Sequence, residues 1–376
     1  MKPEELFGKD YQDFEEVDPY NPTNKVAGFI SRQSTGYYGA LIIIAVNGKL
    51  VEPQLIMGTP KMHYPFTSDK QIGTRKFTFP MAKNVEVYEK LDGTNILAFR
   101  YNDGGKEYIS YKTRLRPFVN AGSKWGDFYS MWNEAAEPAF GEIKLLMENM
   151  NCNLSFELYG LRNAHLVLYD TPIDFALLFG VTGTGRILSP TMLAAPVELK
   201  PLKPMKTITD NLMEEYQALQ KELDKNLKKV DENNYQGVEG TVWYLTTGDG
   251  KCTQFKCKPE TIENIHFAAG AGITKGIVLA TCWNALENVE NITIDFVKEL
   301  LREEFDDRLV EISHNMIEKC ISIVNSELTF RDAVLSAYGE VAGNILLQKA
   351  DVMRELSGKF DRSKMRKVYS TIINWG

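Results

Sequence analysis

The sequence predicts an α+β chain with a strand-rich first two thirds and an all-helical last third. Up to about residue 260, short runs of β-branched and aromatic residues end repeatedly in Gly-containing turns. From Thr261 onward, apolar residues recur at helical spacing instead, as in Phe296, Leu300, Leu301, Phe305, Leu309 and Ile312. The third observation is length: 376 residues exceed what one core usually supports. The expected division is a small β-containing N-terminal module over 1–75, a central α+β domain over 76–260 and an all-α domain over 261–376.

Composition narrows the function classes. With 44% hydrophobic and 25% charged residues, the chain has the balance of a globular protein. No run is long and apolar enough to cross a bilayer, and the start, Met1-Lys2-Pro3-Glu4-Glu5, lacks a signal-peptide core. Five scattered cysteines, at 152, 252, 257, 282 and 320, suggest reduced thiols and an intracellular, cytoplasmic location. A net charge of −7 argues against wholesale polyanion binding, so any nucleic-acid contact needs a local basic cleft.

In the N-terminal module, Tyr37 to Val46 and Lys49 to Ile56 read as two strands around an Asn47-Gly48 hairpin turn. Met57-Gly58-Thr59-Pro60-Lys61-Met62-His63-Tyr64-Pro65 reads as a linker. Val85 to Phe99 then reads as strand, tight turn and strand, with Asp92-Gly93 at the turn because Gly adopts positive φ without steric cost. Lys90 ends the first of these strands. Taken alone, Lys-x-Asp-Gly is either a solvated hairpin tip or a nucleophilic amine. A free lysine has a pKa of about 10.4, so the second role requires desolvation or neighbouring cations.

Further along, Tyr108 to Tyr111 makes a strand that runs into Lys112-Thr113-Arg114-Leu115-Arg116. Asp127 to Met150 is helical, with Phe128, Met131, Trp132 and Ala135 on one face. Asn153 to Gly160 is a strand carrying Glu157, and Ile173 to Val181 is a buried strand. Gly183-Thr184-Gly185-Arg186 is a turn. Leu212 to Val230 is an amphipathic helix. Gly237 to Tyr244 places Glu239 at the opening of a strand. Thr253 to Pro259 puts Lys256 and Lys258 on one face, since strand side chains repeat every second residue. Ala268 to Gly276 is small and flexible, and helices are expected over Ile277–Leu286, Ile294–Val324, Phe330–Leu346 and Lys364–Ile373.

The order Lys90-Leu91-Asp92-Gly93-Thr94-Asn95, then Glu157, then Glu239-Gly240, then Lys256-Cys257-Lys258 resembles the covalent nucleotidyltransferase superfamily of ATP-dependent RNA and DNA ligases and capping enzymes. The match covers roughly residues 76–260. That likeness implies a nucleotidyltransferase (ATP-grasp-like ligase) core of antiparallel sheets with helices. A helical C-terminal domain, in place of the β-rich domain of DNA ligases and capping enzymes, resembles ATP-dependent RNA ligases of archaeal and phage type, which are homodimers.

The resemblance implies joining of RNA 5′-phosphate and 3′-OH ends, as in RNA repair or circularisation, through a lysyl-AMP and an RNA-adenylate. Lys90 is the implied nucleophile. Lys256 and Lys258 would hold the α-phosphate and lower the Lys90 pKa by repulsion. Glu157 would bind the ribose, and Glu239, with Glu157 beside it, a Mg²⁺ or Mn²⁺ ion. Asp92 and Asn95 would orient the lysine and the RNA 3′ end. Phe179, with Phe175 equally a core residue, would stack on adenine, and Glu89 would help select it. Arg114, or Arg116 in reserve, would contact phosphate or RNA. Lys61 or His63 would lie near the RNA unless their segment is an ordinary loop, and the basic residues Lys359, Arg362, Lys364, Arg366 and Lys367 would touch RNA unless they form a solvated helix face. DNA joining, guanylyl transfer in capping, and a non-catalytic nucleotide- or RNA-binding relative remain the alternatives.

Overall fold

In the computed structural model, which describes residues 2–69, 74–231, 234–262, 273–303 and 305–375, the chain divides into two units. The first comprises residues 1–121, 128–271 and 287–289, and the second comprises 122–127, 272–286 and 290–376. No helix among the described residues is long and apolar enough to cross a membrane.

The strands of the first unit are β1 (Tyr11–Val17), β2 (Lys25–Ser31), β3 (Leu41–Val46), β4 (Lys49–Ile56), β5 (Phe66–Asp69), β6 (Thr74–Phe77), β7 (Asn84–Lys90), β8 (Thr94–Asp103), β9 (Lys106–Lys112), β10 (Cys152–Tyr159), β11 (Asp174–Thr182), β12 (Ile187–Leu188), β13 (Lys206–Ile208), β14 (Lys228–Lys229), β15 (Tyr235–Gln236), β16 (Gly240–Thr246) and β17 (Cys252–Cys257). Pairings between these strands are antiparallel.

Strands β1 to β4 form a meander in sequence order. Asn47 (φ 53°) and Gly48 (φ 72°) make its last turn, the left-handed pair that a two-residue hairpin demands. The inner face of this sheet, with Phe14, Val26, Leu41, Ile43 and Ile56, shares its core with Phe99 and Tyr101 of β8 and with Phe118. Asp18, fully buried, reinforces that junction by accepting hydrogen bonds from the Tyr101 and Ser110 hydroxyls.

Two further sheets carry the site. One has the order β12-β11-β10-β8-β9, the other β13-β7-β16-β17. Strands β7 and β8 therefore lie in different sheets, which corrects the expectation of a hairpin at Asp92-Gly93: the turn hands the chain from one sheet to the other. Gly93 is also not among the positive-φ glycines. Its role is close approach, because a Cβ there would lie 2.2 Å from the Leu158 carbonyl oxygen.

Helices Phe128–Ala136 and Phe140–Met150, separated by a 3-10 turn at Pro138, cover the outer face of the five-stranded sheet around Trp132, Phe156 and Phe175. Helix Leu212–Asn226 covers the four-stranded sheet through Tyr216 and Leu223 against Trp243. It stops short of Val230, because Lys228 and Lys229 instead form β14 against β15. Between the two sheets, Tyr88, Val242 and Tyr244 meet Phe179, Val181 and Ile187. A bulge in β11 creates this second face. Ser155 pairs with Phe179 while Phe156 pairs with Leu177, leaving Leu178 surplus. Strict alternation would send residues 175, 177, 179 and 181 the same way; the extra residue turns Phe179 and Val181 toward the other sheet.

The second unit is helical: Lys275–Ala285, Ile294–Arg302, Asp307–Ile312, His314–Gly339, Lys349–Leu356 and Met365–Trp375. The expected single helix over Ile294–Val324 is broken. Asp306 accepts from the Arg308 N–H and starts a new helix, and Ser313 separates that helix from the next. Conversely, the expected break before Phe330 is absent, and one helix of 26 residues runs from His314 to Gly339. It packs Val334 against Val352, Leu356, Val368 and Ile372. Helix Lys349–Leu356 was not expected from the sequence. Of the small segment Ala268 to Gly276, residues up to 272 lie outside the described residues, and Lys275 already begins a helix.

Candidate active site

The four-stranded sheet brings the distant lysines together. β16 lies between β7 and β17, with Lys90 opposite Gly240, Val242 opposite Lys256 and Thr241 opposite Cys257. Glu239, just ahead of β16, sits between two lysines. Its carboxylate is paired with Lys90, and Lys258 Nζ lies 3.0 Å from its Oε1. A Cβ on Gly240 would come 2.4 Å from the Cys257 carbonyl oxygen, so only glycine lets these backbones close up beside Glu239. The Glu239 side chain is 5% exposed. Burial pushes its carboxyl up, but Lys90 and Lys258 outweigh that and hold it at about 2. The expectation of two ammonium groups crowding Lys90 directly is thereby modified: an ionised carboxylate stands between Lys90 and Lys258.

The five-stranded sheet supplies the opposite wall. Glu157 pairs in register with Asn95, and its Oε1 accepts from the Gly93 N–H at 3.0 Å. Burial pushes the Glu157 carboxyl up to about 7, against the pull of Lys90, Arg114 and His165, and the Glu239 charge adds to the upward push. Asp92, also buried, accepts from the Leu166 and Val167 N–H groups at 2.6 and 2.7 Å, and its own N–H donates to the Tyr169 hydroxyl. Asn95 is fully engaged. Its amide donates to Ser155 Oγ and the Phe156 carbonyl, and its oxygen accepts from Thr59. Thr59 lies in the 57–65 segment, so that segment is bound directly to the β8 strand of the site.

The remaining expected residues are more dispersed. Lys256 lies over the Tyr64 ring at 4.5 Å, and its N–H donates to the His63 carbonyl. Lys61 bonds Ser34 at 3.5 Å. Arg114 acts electrostatically on Glu157, lies 6.0 Å from the Tyr38 ring, and has a buried Nε without a hydrogen-bond partner among the described residues. Arg116 bonds Asn120, which in turn bonds Glu16. Phe175 packs against Trp132 and Phe156 in the helix-side core, whereas Phe179 stands between the sheets, edge-on to Tyr244. Glu89 is half-buried, which raises its carboxyl.

Several site residues carried no signal in the sequence. His165 is half-buried, with Nε2 3.5 Å from Glu287 and from Thr94 Oγ1. Burial lowers its basicity, but Glu287, Asp92, Glu157 and Glu239 reverse that and raise it. Lys112 is 1% exposed, donating to the Thr113 and Arg114 carbonyls. Burial, with Arg114 nearby, lowers it to about 7. His165 is one of four histidines in the chain, the only available hint; Glu287 lies within an otherwise helical stretch of sequence and offers none.

Among the described residues, no three His, Cys, Asp or Glu side chains come together as a metal cage. Two carboxylates, Glu157 and Glu239, lie close enough that the charge of one acts on the other. Glu157, held near neutrality by burial beside the charge of Glu239, is a group whose ionised form a divalent cation would relieve. A donor set of two carboxylates completed by water suits Mg²⁺.

No family model and no curated protein matches the chain. Among solved structures it is similar to Naegleria gruberi RNA ligase with PPi, at 14% identity and a TM-score of 0.34, covering 67% of this chain and 96% of that one. A mutant of the same ligase with ATP and Mn aligns at 12% identity and a TM-score of 0.33, covering 67% and 97%. A mutant apo form aligns at 13% identity and 0.32.

Proposed function

We propose that this chain is an ATP-dependent RNA ligase. One observation carries the reading: the Lys90 amine, at the end of β7, is held by the buried Glu239 carboxylate that also binds Lys258, beside a Gly93 turn fastened to Glu157. A salt bridge made only for stability gains little from burying three charged groups this deeply. A pocket built to receive a polyanion and present one amine gains a great deal.

Lys90, paired with Glu239 as an ammonium, releases its proton to water and attacks the α-phosphorus of ATP as the free amine. The N–P bond forms as the bond to pyrophosphate breaks, leaving lysyl-AMP. AMP then passes to an RNA 5′-phosphate, and the RNA 3′-OH displaces it to form the phosphodiester. Lys258 and Lys256 neutralise the α-phosphate, and Glu157 binds the ribose. Phe179, turned inward by the bulge, lies against adenine, with Glu89 aiding its selection. Asp92 and Asn95 hold the turn in place for the lysine and the 3′ end. Arg114, with Arg116 in reserve, meets phosphate or RNA. Glu239 and Glu157 would hold Mg²⁺ or Mn²⁺, which supplies charge neutralisation at the phosphates. In this reading residues 76–260 form the adenylation domain, 1–75 the accessory module and 261–376 a helical domain that supports a homodimer. The five cysteines are all buried, and the location read with this function is cytoplasmic.

The test is incubation with α-labelled ATP and magnesium, followed by labelled RNA. Wild type becomes covalently labelled and produces circles or joined strands; Lys90→Ala does neither. Labelling by GTP only, or joining of DNA but not RNA, selects the capping or DNA-ligase alternatives. Undiminished joining by Lys90→Ala removes the mechanism.

A further inference from the structure

We propose that Glu287 and His165 form a positioning pair for the nucleophile turn, with Glu287 fixing Thr94 and thereby the aim of Lys90. The proposal rests on the adenylation reading above.

Thr94 Oγ1 donates to Glu287 Oε1 at 2.9 Å, across 193 residues of sequence. His165 Nε2 stands 3.5 Å from each of the two oxygens. Asn163 completes the group, its amide donating to Thr94 Oγ1 at 3.1 Å and to the Leu158 carbonyl at 2.7 Å. Glu287 is also held by its backbone, whose carbonyl accepts from Thr113 Oγ1 at 2.6 Å. One residue thus gathers the start of β8, the end of β9 and the loop after β10.

Residues 90, 92, 93 and 94 are each fastened. Glu239 holds Lys90, Leu166 and Val167 hold Asp92, Glu157 holds Gly93, and Glu287 holds Thr94. Thr94 is 1% exposed, so when that acceptor is removed its hydroxyl has no solvent to turn to and is left with the longer 3.4 Å bond to Asn163 Oδ1. The other acids facing His165, namely Asp92, Glu157 and Glu239, already accept from backbone N–H groups or lysines; Lys90 and Arg114 face those acids in turn. Glu287 is the carboxylate that pairs with the imidazole.

The experiment uses the full chain and measures single-turnover covalent labelling across ATP concentrations, with thermal melting alongside. Glu287→Ala lowers the maximal labelling rate on the order of a hundredfold, the effect of roughly 1 Å of misaim. The ATP concentration at half-maximal rate changes by less than about threefold, since the lost interaction aims the amine and does not hold the nucleotide. Glu287→Gln, whose amide oxygen still accepts from Thr94, recovers to within about tenfold of wild type. Thr94→Val removes the same bond from its other end and falls alongside Glu287→Ala, and it is read in place of that variant should Glu287→Ala fail to fold. Combining the two gives no further loss. Glu287→Ala labelling as fast as wild type overturns the proposal, as does a loss confined to ATP affinity or a Glu287→Gln loss as deep as that of Glu287→Ala. Absence of label on wild type overturns the adenylation reading and this proposal with it. A labelled wild type with Glu287→Ala labelled at the same rate overturns this proposal alone.

Discussion

Gly93→Ala tests the turn with a single methyl group. The added Cβ would stand 2.2 Å from the Leu158 carbonyl oxygen, with the Leu158 carbonyl carbon and Tyr159 Cβ at 3.0 Å. Ordinary contact begins near 3.4 Å, so backbone must retreat by about 1.2 Å, and both obstacles nearest the methyl are main-chain atoms in β10. Overpacking of this kind costs about 1–3 kcal/mol of stability. The same displacement stretches the 3.0 Å bond from the Gly93 N–H to Glu157 and shifts Lys90 relative to Glu239. An error of about 1 Å at a reacting group costs on the order of a hundredfold in rate. Denaturant unfolding and single-turnover labelling with ATP, each read against wild type, measure the two effects separately. Wild-type stability together with wild-type labelling would refute the claim that close approach to β10, and not turn geometry, demands glycine here.

Lys112 gives a pH signature. Its folded pKa of about 7 lies below the ordinary 10.5, so between these values the unfolded chain holds a proton that the folded chain lacks. Stability therefore rises with pH across that window, by on the order of 5 kcal/mol in full. Lys112→Met removes that rise, and the difference between the two urea midpoints measured from pH 7 to 10 reports it. Lys258→Met leaves Glu239 with Lys90 as its remaining ion-pair partner and costs about 3 kcal/mol, read by thermal melting, with covalent labelling reduced in parallel. Asp18→Ala strands the Tyr101 and Ser110 hydroxyls, together with the Tyr20 N–H and the Asn21 amide, at the junction of the N-terminal meander with β8 and β9. A loss of about 3 kcal/mol in urea unfolding is expected.

What the sequence made legible was whatever one strand can express. Lys90, Glu157, Glu239 and Lys258 lie in or beside strands bounded by glycine or proline, and it was their order along the chain, through the resemblance it carries, that singled them out. Alternation could not say which strands share a sheet, so Asp92-Gly93 read as a hairpin when it is a crossing between sheets. Nor could it show the surplus Leu178 in β11, which separates Phe175 from Phe179; a bulge leaves no mark in residue type. The 294–324 stretch kept its helical period across Asp306 and Ser313, because caps interrupt hydrogen bonding without disturbing the spacing of apolar residues. His165 and Glu287 were silent because their partners lie far away along the chain, and a single acid or imidazole has no periodicity.

The bond between Thr94 and Glu287 also bears on timing during synthesis. By residue 258 the growing polypeptide already contains Lys90, Asp92, Glu157, Glu239, Lys256 and Lys258, yet Glu287, which pairs with the His165 imidazole, is still to come. Closing so long a span is slow compared with pairing neighbouring strands. A chain that ends before residue 287 lacks the Glu287 acceptor for Thr94 and the Glu287 partner of His165.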